Sequence, residues 1–569
     1  MGKRSGEYLK AGLGTRETPQ SEPIPGSSQV ANSGGGFAWT VDDWKRLDRF
    51  LILGAEGGTY YIGERQLTKE NAAAVARCIQ VDGVRVVKRI LEISEAGRAP
   101  KNDPALFALA MCFGIGNADT KSEAARVLPF VARIGTHLFH FVSYVEQFRG
   151  WGRGLRRAVA GWYDRKTVDH LGLQAVKYQQ RDGWSHKDLL RRSHPVAGTP
   201  ERDALYRWIV GASPDERTVL RKEQGGKFER TDIYPVRETV LPAIVQAFIE
   251  AQEADEKALV HLIRDKGLPM ECVPTDKRTP AVYRALIPGA GLTWLLRNLG
   301  NLSKHGVLVK GGWDEIKAVT SRITDAEALK KARVHPIAVL SALETYRRGA
   351  GVRGSGTWEA VPDLIDALDS AFYLAFGAVE PAGKRTVIGL DVSGSMGSGE
   401  IAGVPGLTPR VGSAAMCMVT YKTEPATTVV AFTSAGRGYG GKYPGGTPGM
   451  TEVNFSRKSR LDDVCRETAE LPYGGTDCAL PMLWALKQKV QADTFVIYTD
   501  SETWAGNIHP SQALRKYREQ TGIPARLVVV GMVSNEFTIA DPDDAGMLDV
   551  VGFDSAAPGV IADFSAGRF

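Results

Sequence analysis

The stretch "DVSGSMGS" (391–398) follows directly on the apolar run "TVIGL" (386–390). A short, uninterrupted apolar run of that kind reads as a buried strand. Its end carries a carboxylate and two hydroxyls at i, i+2 and i+4, and Gly394 and Gly397 relax the turn. A tight turn can aim the oxygens of Asp391, Ser393 and Ser395 at one point. Further on, "TTVVAF" (427–432), "DTFVIYTD" (493–500) and "ARLVVVGM" (525–532) are short runs rich in β-branched residues. Helical patterns lie between them, as in "RVGSAAMCMVTYK", "TDCALPMLWALKQKV" and "HPSQALRKYREQTG". This alternation predicts an α/β domain over 381–569, with a parallel sheet covered by helices on both faces. Ligands of such sheets bind at the carboxyl ends of the strands.

Two further strand-end loops offer oxygens: "PYGGTDCALP", with Thr476 and Asp477, and "YTDSET", with Asp500. Hard oxygen donors from three loops suit Mg²⁺, which takes octahedral oxygen ligands and keeps some water. Three other readings compete. A nucleophile elbow needs G-x-S-x-G, and Ser393 stands where the first glycine around Ser395 should be. "GRGYGGKY" (436–443) comes close to a phosphate-binding loop, but it ends in Tyr443, and Pro444 and Pro448 deny it a following helix. The third is a polar turn that binds nothing. The set Asp391, Ser393, Ser395, Thr476 and Asp500 resembles the metal-ion-dependent adhesion site of von Willebrand factor type A (vWA) domains. The resemblance implies that Ser393, Ser395 and Thr476 contact Mg²⁺ or another divalent cation, with Asp391 and Asp500 acting directly or through water. Neutral hydroxyls leave such a cation under-neutralised, so it favours an outside anion, commonly a partner's Asp or Glu. No general base accompanies the set, which argues for binding and against hydrolysis.

Residues 37–375 read as almost all helix, in segments such as "KENAAAVARCIQ", "VRVVKRILEISEAG" and "DPALFALAMCFGIG". Short helices joined by short loops suggest a solenoid of HEAT-like repeats; a globular helical domain without repeats is the alternative. Residues 1–36, rich in Gly, Ser and Pro, read as a flexible arm with no secretory signal. The most apolar long segment (128–148) is interrupted by Arg133 and two histidines, so it reads as one or two buried helices and not as a membrane span. Six scattered cysteines without a CxxC pair fit a reducing, cytoplasmic setting.

The net charge is +6, and its distribution is uneven. Residues 381–569 hold 17 Lys or Arg against 20 Asp or Glu, whereas 149–195 alone hold 11 against 4. A localised excess of this kind is the footprint of a polyanion-binding surface. The same segment interleaves Trp151, Trp162, Tyr163, Tyr178 and Trp184. Exposed aromatics can stack bases; the bland reading makes them core beneath a solvated charged face. Helical spacing puts Lys177 and Arg181 one turn apart, and likewise Lys187 and Arg191. His194 reads as a phosphate donor or as a cap.

"GWGRGLRRAVAGWY", "KYQQRDGWSHKDLLRRSHP", "LLRNLG", "HPIAVLSALETY", "GGTDCALPM" and "FTIADPDDAGMLD" resemble the Ro autoantigen family, the TROVE-domain RNA-binding proteins. The resemblance runs from about residue 37 to 569. It implies a ring of HEAT-like helical repeats closed by the vWA domain, and a non-enzymatic, monomeric RNA scaffold off the membrane. Y-like small noncoding RNA would bind the basic outer surface, and single-stranded ends of misfolded RNA a central hole. Lys177, Arg181 and His194 match family positions implicated in Y RNA contact. Arg153, Arg156, Arg157, His186, Lys187, Arg191 and Arg192 complete the candidate surface. Bacterial relatives are linked to exoribonucleases, notably polynucleotide phosphorylase. Arg192 stands where animal relatives tend to be apolar, and the loop 434–450 is richer in glycine than its family counterpart. The alternative is a protein-interaction adaptor built on the metal site, with RNA incidental.

Overall fold

The computed structural model describes residues 17–56, 59, 64–211, 216–222, 228–235, 241–351, 356–377, 379–401, 404, 406–434, 447–453, 455–471 and 474–568. The glycine-rich motif 436–443 lies outside the described residues. The chain forms a helical domain followed by an α/β domain, as the sequence pattern predicts. The helical domain begins with Asp43–Leu53, capped by Asp42, whose side chain accepts from Lys45 N. The two segments anticipated around residues 69–97 form Glu64–Ala96, broken at Asp82. The Asp82 carboxylate accepts from Arg85 N, which restarts the helix. The apolar stretch 128–148 is divided between Ala118–Val131 and Gly135–Phe148, with Leu138, Phe139, Phe141 and Val142 fully buried. No described helix is long and apolar enough to cross a membrane.

The α/β domain is a six-stranded sheet. Its strands lie in the order Met547–Val551, Arg526–Gly531, Thr494–Thr499, Arg385–Asp391, Ala426–Phe432, Met450–Glu452. All neighbours are parallel except the last pair. Strand order reverses between Arg385–Asp391 and Thr494–Thr499, which makes the crevice at their carboxyl ends the topological switch point. Both strands are buried from Thr386 and Thr494 onward because helices cover both faces. Gly389 is required there: a Cβ would sit 2.7 Å from Ile497 Cδ1 and 2.8 Å from Pro481 Cγ.

Three features depart from the sequence reading. A hairpin pairs Glu216–Lys222 with Phe228–Pro235 inside the helical half. Residues 17–36 are no loose arm over their described length. Val30–Ala31 pairs with Phe37–Thr40, which pairs in turn with Phe537–Thr538. Gln20 is fully buried, donating to Asp477 Oδ1 (2.7 Å) and Ile508 O (2.8 Å), and Asn32 donates to Thr503 O (2.7 Å). The Gly, Ser and Pro content argued for a flexible arm, but buried side-chain hydrogen bonds order this strap. Finally, Lys177 ends its helix, Val168–Lys177, and Arg181 lies in a small hairpin with Trp184, so they do not share a helical face.

Both ends of the helical domain grip the α/β domain. Near the N-terminus, Arg49 is buried and donates to Asn535 O (2.8 Å), Phe537 O (3.0 Å) and Asp549 Oδ1 (2.6 Å). Arg98 Nε donates to both oxygens of Asp554 (2.9 and 2.8 Å). Near its C-terminus, Leu461 N donates to Asp369 Oδ1 (2.6 Å), and Arg460 pairs with Asp366. Removing one partner of a buried ion pair strands the other charge, at about 3–5 kcal/mol. Arg49→Leu should therefore lower the free energy of unfolding by an amount of that order, read as a lower urea midpoint at unchanged slope. An unchanged midpoint would show that the junction does not depend on this pair.

Candidate metal centre and nucleic-acid interface

The first candidate site sits at the switch point, and the structure brings all five predicted residues to it. Asp391, Ser393, Ser395, Thr476 and Asp500 are all buried. Asp391 Oδ1 accepts from Ser393 N (2.9 Å), which forms the tight turn, and Oδ2 accepts from Thr499 Oγ1 (2.7 Å). Ser393 and Ser395 hydroxyls lie 3.1 Å apart. Gly394 N donates to Gly474 O (3.1 Å), which holds the Thr476 loop against the first turn. Asp500 Oδ1 accepts from Glu502 N (3.1 Å).

Several supporting residues had no visible signal. Arg410, on the helix Pro409–Thr423, donates to Val392 O (2.6 Å) and Ser393 O (3.1 Å) and so fixes the turn from behind. Glu502 is buried, accepts from Gly34 N (3.1 Å) of the strap, and takes a bond from Asn535 Nδ2 (3.2 Å). Nothing local in the sequence links residue 34 or 535 to this loop.

Burial raises the pKa of Asp391. Burial, and then the charges of Asp391 and Glu502, raise that of Asp500. Burial pushes Glu502 up to about 7. The centre thus gathers carboxylates that repel one another, with neutral hydroxyls between them. That donor set fits a hard divalent cation, which would relieve the repulsion.

The second candidate site is the basic segment. Arg153–Asp164 packs against the helix His186–Ser193. Ser185 and Asp188 form a capping box at the start of the latter. Arg156 Nε donates to Ser193 O (3.2 Å) at its end. Arg153, Arg156, Arg157, Arg181, Lys187, Arg191, Arg192 and His194 are exposed. His194 is the C-cap, in the left-handed region at φ 48°. Among the described residues, Arg153, Arg157 and Lys187 have no carboxylate partner, while Arg192 lies 3.6 Å from Glu146.

One assignment on this surface needs correction. His186 is not on the surface. It is buried against Phe139 and Trp162, 2.8 Å from Tyr163 Oη, and burial pushes its pKa down to about 4. Residues 186, 189, 190 and 193 form the buried stripe of this helix, so position 186 cannot reach a ligand. Trp162, Tyr163 and Trp184 are core as well, which settles the bland reading for them. Arg192 lies over the stacked Trp151–Trp184 pair, 4.9 Å from the Trp184 ring centroid.

Lys177 is half-buried and lines a 610 Å³ cavity, 3.8 Å from Glu271. Arg133, His137, Arg297 and Arg333 also line it, as do Asn102, Tyr178, Trp294 and Asn298. Its walls come from residues 93–102, 133–137, 177–178, 270–271, 293–298 and 332–338, so both halves of the helical domain contribute.

A doubly wound sheet with an Asp-x-Ser-x-Ser turn at its switch point defines a vWA domain, here joined to a helical domain with a basic face. The chain matches the Ro60 vWA domain over 385–565 and the TROVE domain over 30–262 and 270–346. It is 42% identical over 552 residues to the RNA-binding protein RO60 of Deinococcus radiodurans, covering 97% of each chain. It is 34% identical to the Caenorhabditis elegans protein of that name, covering 95% of this chain and 90% of the other. The crystal structure of the Deinococcus radiodurans RO (RSR) protein superimposes with a TM-score of 0.66 at 41% identity, covering 93% of this chain and 100% of that one. The chain belongs to the Ro60 family of TROVE proteins.

The site carboxylates make a pH prediction. Glu502 holds its proton to about pH 7 when folded, against a reference near 4.5 when unfolded. The native state therefore binds more protons in that window, so stability falls as pH rises through it. In metal-free buffer, the melting temperature should drop between pH 4.5 and 7, and Glu502→Gln should flatten that drop. A rise across the same range in both proteins contradicts the account.

Proposed function

We propose that this protein is a non-enzymatic, cytoplasmic RNA scaffold. Its exposed basic helices bind a Y-like small noncoding RNA, and its cationic cavity takes single-stranded ends of misfolded RNA. The carrying observation is the surface of Arg153, Arg157 and Lys187, cations without carboxylate partners among the described residues, beside Arg191 and His194. Exposed cations gathered on one face can neutralise phosphates, the contact that supplies the sequence-independent part of nucleic-acid binding. The relatives' printed name, RNA-binding protein, supports the same reading. The monomer would supply RNA to a partner nuclease, such as polynucleotide phosphorylase, in RNA quality control.

The vWA centre is the second working part. Ser393, Ser395 and Thr476 would hold Mg²⁺ through hydroxyls, and Asp391 and Asp500 would hold it directly or through water. The cation would present one electrophilic position to a partner's carboxylate. Trp504 is 41% exposed, and its backbone N donates to Thr476 O (3.1 Å), so the centre has an apolar rim. A protein-interaction adaptor with incidental RNA binding draws on this same rim.

Two outcomes test these readings. Lys187→Glu combined with Arg191→Glu should weaken binding of a Y-like hairpin RNA. It should also flatten log K against log salt by roughly one unit per lost phosphate contact. Wild-type affinity and slope in the double variant would remove this surface from the account. Mg²⁺ should raise the melting temperature as ligand linkage requires, by RT ln(1 + [L]/Kd). Asp391→Ala should abolish that rise and any partner capture while hairpin binding persists. EDTA without effect on wild-type melting would contradict the metal reading, and partner capture that is lost in Asp391→Ala but unaffected by RNase in the wild type would favour the adaptor.

A further inference from the structure

A second cavity, of 560 Å³, adjoins the first and shares Pro100, Thr293, Arg297 and Ala338 with it. Its walls are two packed helices, Leu292–Lys304 and Pro336–Arg348. On the first, Arg297, Asn301 and Lys304 recur at i, i+4 and i+7, so they share one face over about 10 Å. On the second, Ala338, Ser341, Ala342 and Thr345 recur at the same helical spacing and face them. The groove thus carries cations along one wall and hydroxyls along the other.

Most of the polar groups here are open, although Asn301 Nδ2 donates to Tyr283 Oη (3.0 Å), which leaves its Oδ1 to accept. Among the described residues, Arg297 and Lys304 make no ion pair or hydrogen bond, and the Ser341 and Thr345 hydroxyls have no protein partner. Lys101 also lines the groove and pairs with Glu56. No described carboxylate lines it. The floor is apolar: Leu296, Ala342 and Trp358 contribute. Trp358 is locked in place, with its Nε1 donating to Tyr346 O (3.0 Å) and its ring stacked on Tyr346. Gly300 permits this, since a Cβ there would lie 2.6 Å from the indole.

We propose that this groove is a nucleotide subsite. Phosphate would lie against Arg297 and Lys304, and ribose or base-edge groups against Asn301, Ser341 and Thr345. The base would cover the floor at Leu296, Ala342 and Trp358. A volume of 560 Å³ suits one nucleotide. Open cations with no carboxylate select an anion, and the rigid apolar floor selects one bearing a planar ring. The nucleotide is either free or the end of a strand that passes Arg297 from the neighbouring cavity. Only the second source rests on the RNA-binding reading above.

Two probes on the full-length protein separate these sources. The first is equilibrium dialysis with radiolabelled AMP. The second is photocrosslinking of a short single-stranded oligouridylate with 4-thiouridine at one end, mapped by mass spectrometry. Saturable AMP binding identifies a free nucleotide; a crosslink to the peptide 336–348 identifies a strand end. Whichever signal appears should fall by about tenfold in Lys304→Glu, for one lost charge-assisted contact. Ser341→Leu, which fills the groove without a charge change, should lower it as well. Absence of both signals overturns the proposal, as does a wild-type signal in both variants. Hairpin RNA binding is measured in parallel. If it fails while AMP binds, the RNA-surface reading falls and the subsite stands.

Discussion

The arginine guanidinium, satisfied or left open, organises this molecule. Arg49, Arg98 and Arg410 are each turned onto carbonyls or carboxylates that belong to another part of the chain. Arg49 matters most, because its pair with Asp549 is 1% and 5% exposed and joins residues 500 positions apart. A guanidinium has five donors in a fixed fork, so one side chain can satisfy two strand-end carbonyls and a carboxylate at once. Without that fork, the edge strand Met547–Val551 would carry a buried carboxylate with no counter-charge. Arg153, Arg157 and Arg297 lack such partners among the described residues, and the first two stand on the surface that carries the RNA reading.

The vWA centre follows the same logic with the sign reversed. Its carboxylates are buried where the sheet's topology forces strand ends together; burial raises their pKa values, and for Asp500 the charges of Asp391 and Glu502 add to it. The strap 17–36 reaches these loops through Gln20 on Asp477 and Gly34 on Glu502, so the chain's beginning helps to hold them in position. The centre therefore depends on contacts with the rest of the molecule and not only on its own loops.

Much of this was legible in the sequence because it is local. The four apolar runs anticipated in the α/β half became the four central strands, with ends shifted by no more than two residues. The Asp391, Ser393 and Ser395 turn was visible because one short segment supplies all three groups. His186 was misread although its signal was present: positions 186, 189, 190 and 193 have the spacing of a buried stripe. What stayed hidden is long-range. Met547–Val551 carries a mid-strand aspartate that makes sense only once Arg49 is known, and the strap is ordered by partners more than 450 residues away. The face supposed for Lys177 and Arg181 failed because the helix stops at Lys177, beside the cavity.

The central claim is that open cations on the helices around residues 153–157 and 187–194 meet RNA phosphates. Ultraviolet crosslinking of the protein to RNA in its native host, followed by peptide mapping, tests it most directly. Adducts should concentrate in peptides covering these two stretches, with further adducts in those lining the cavity around Arg133 and Arg297. Adducts confined to the vWA domain, or none above background, would contradict it.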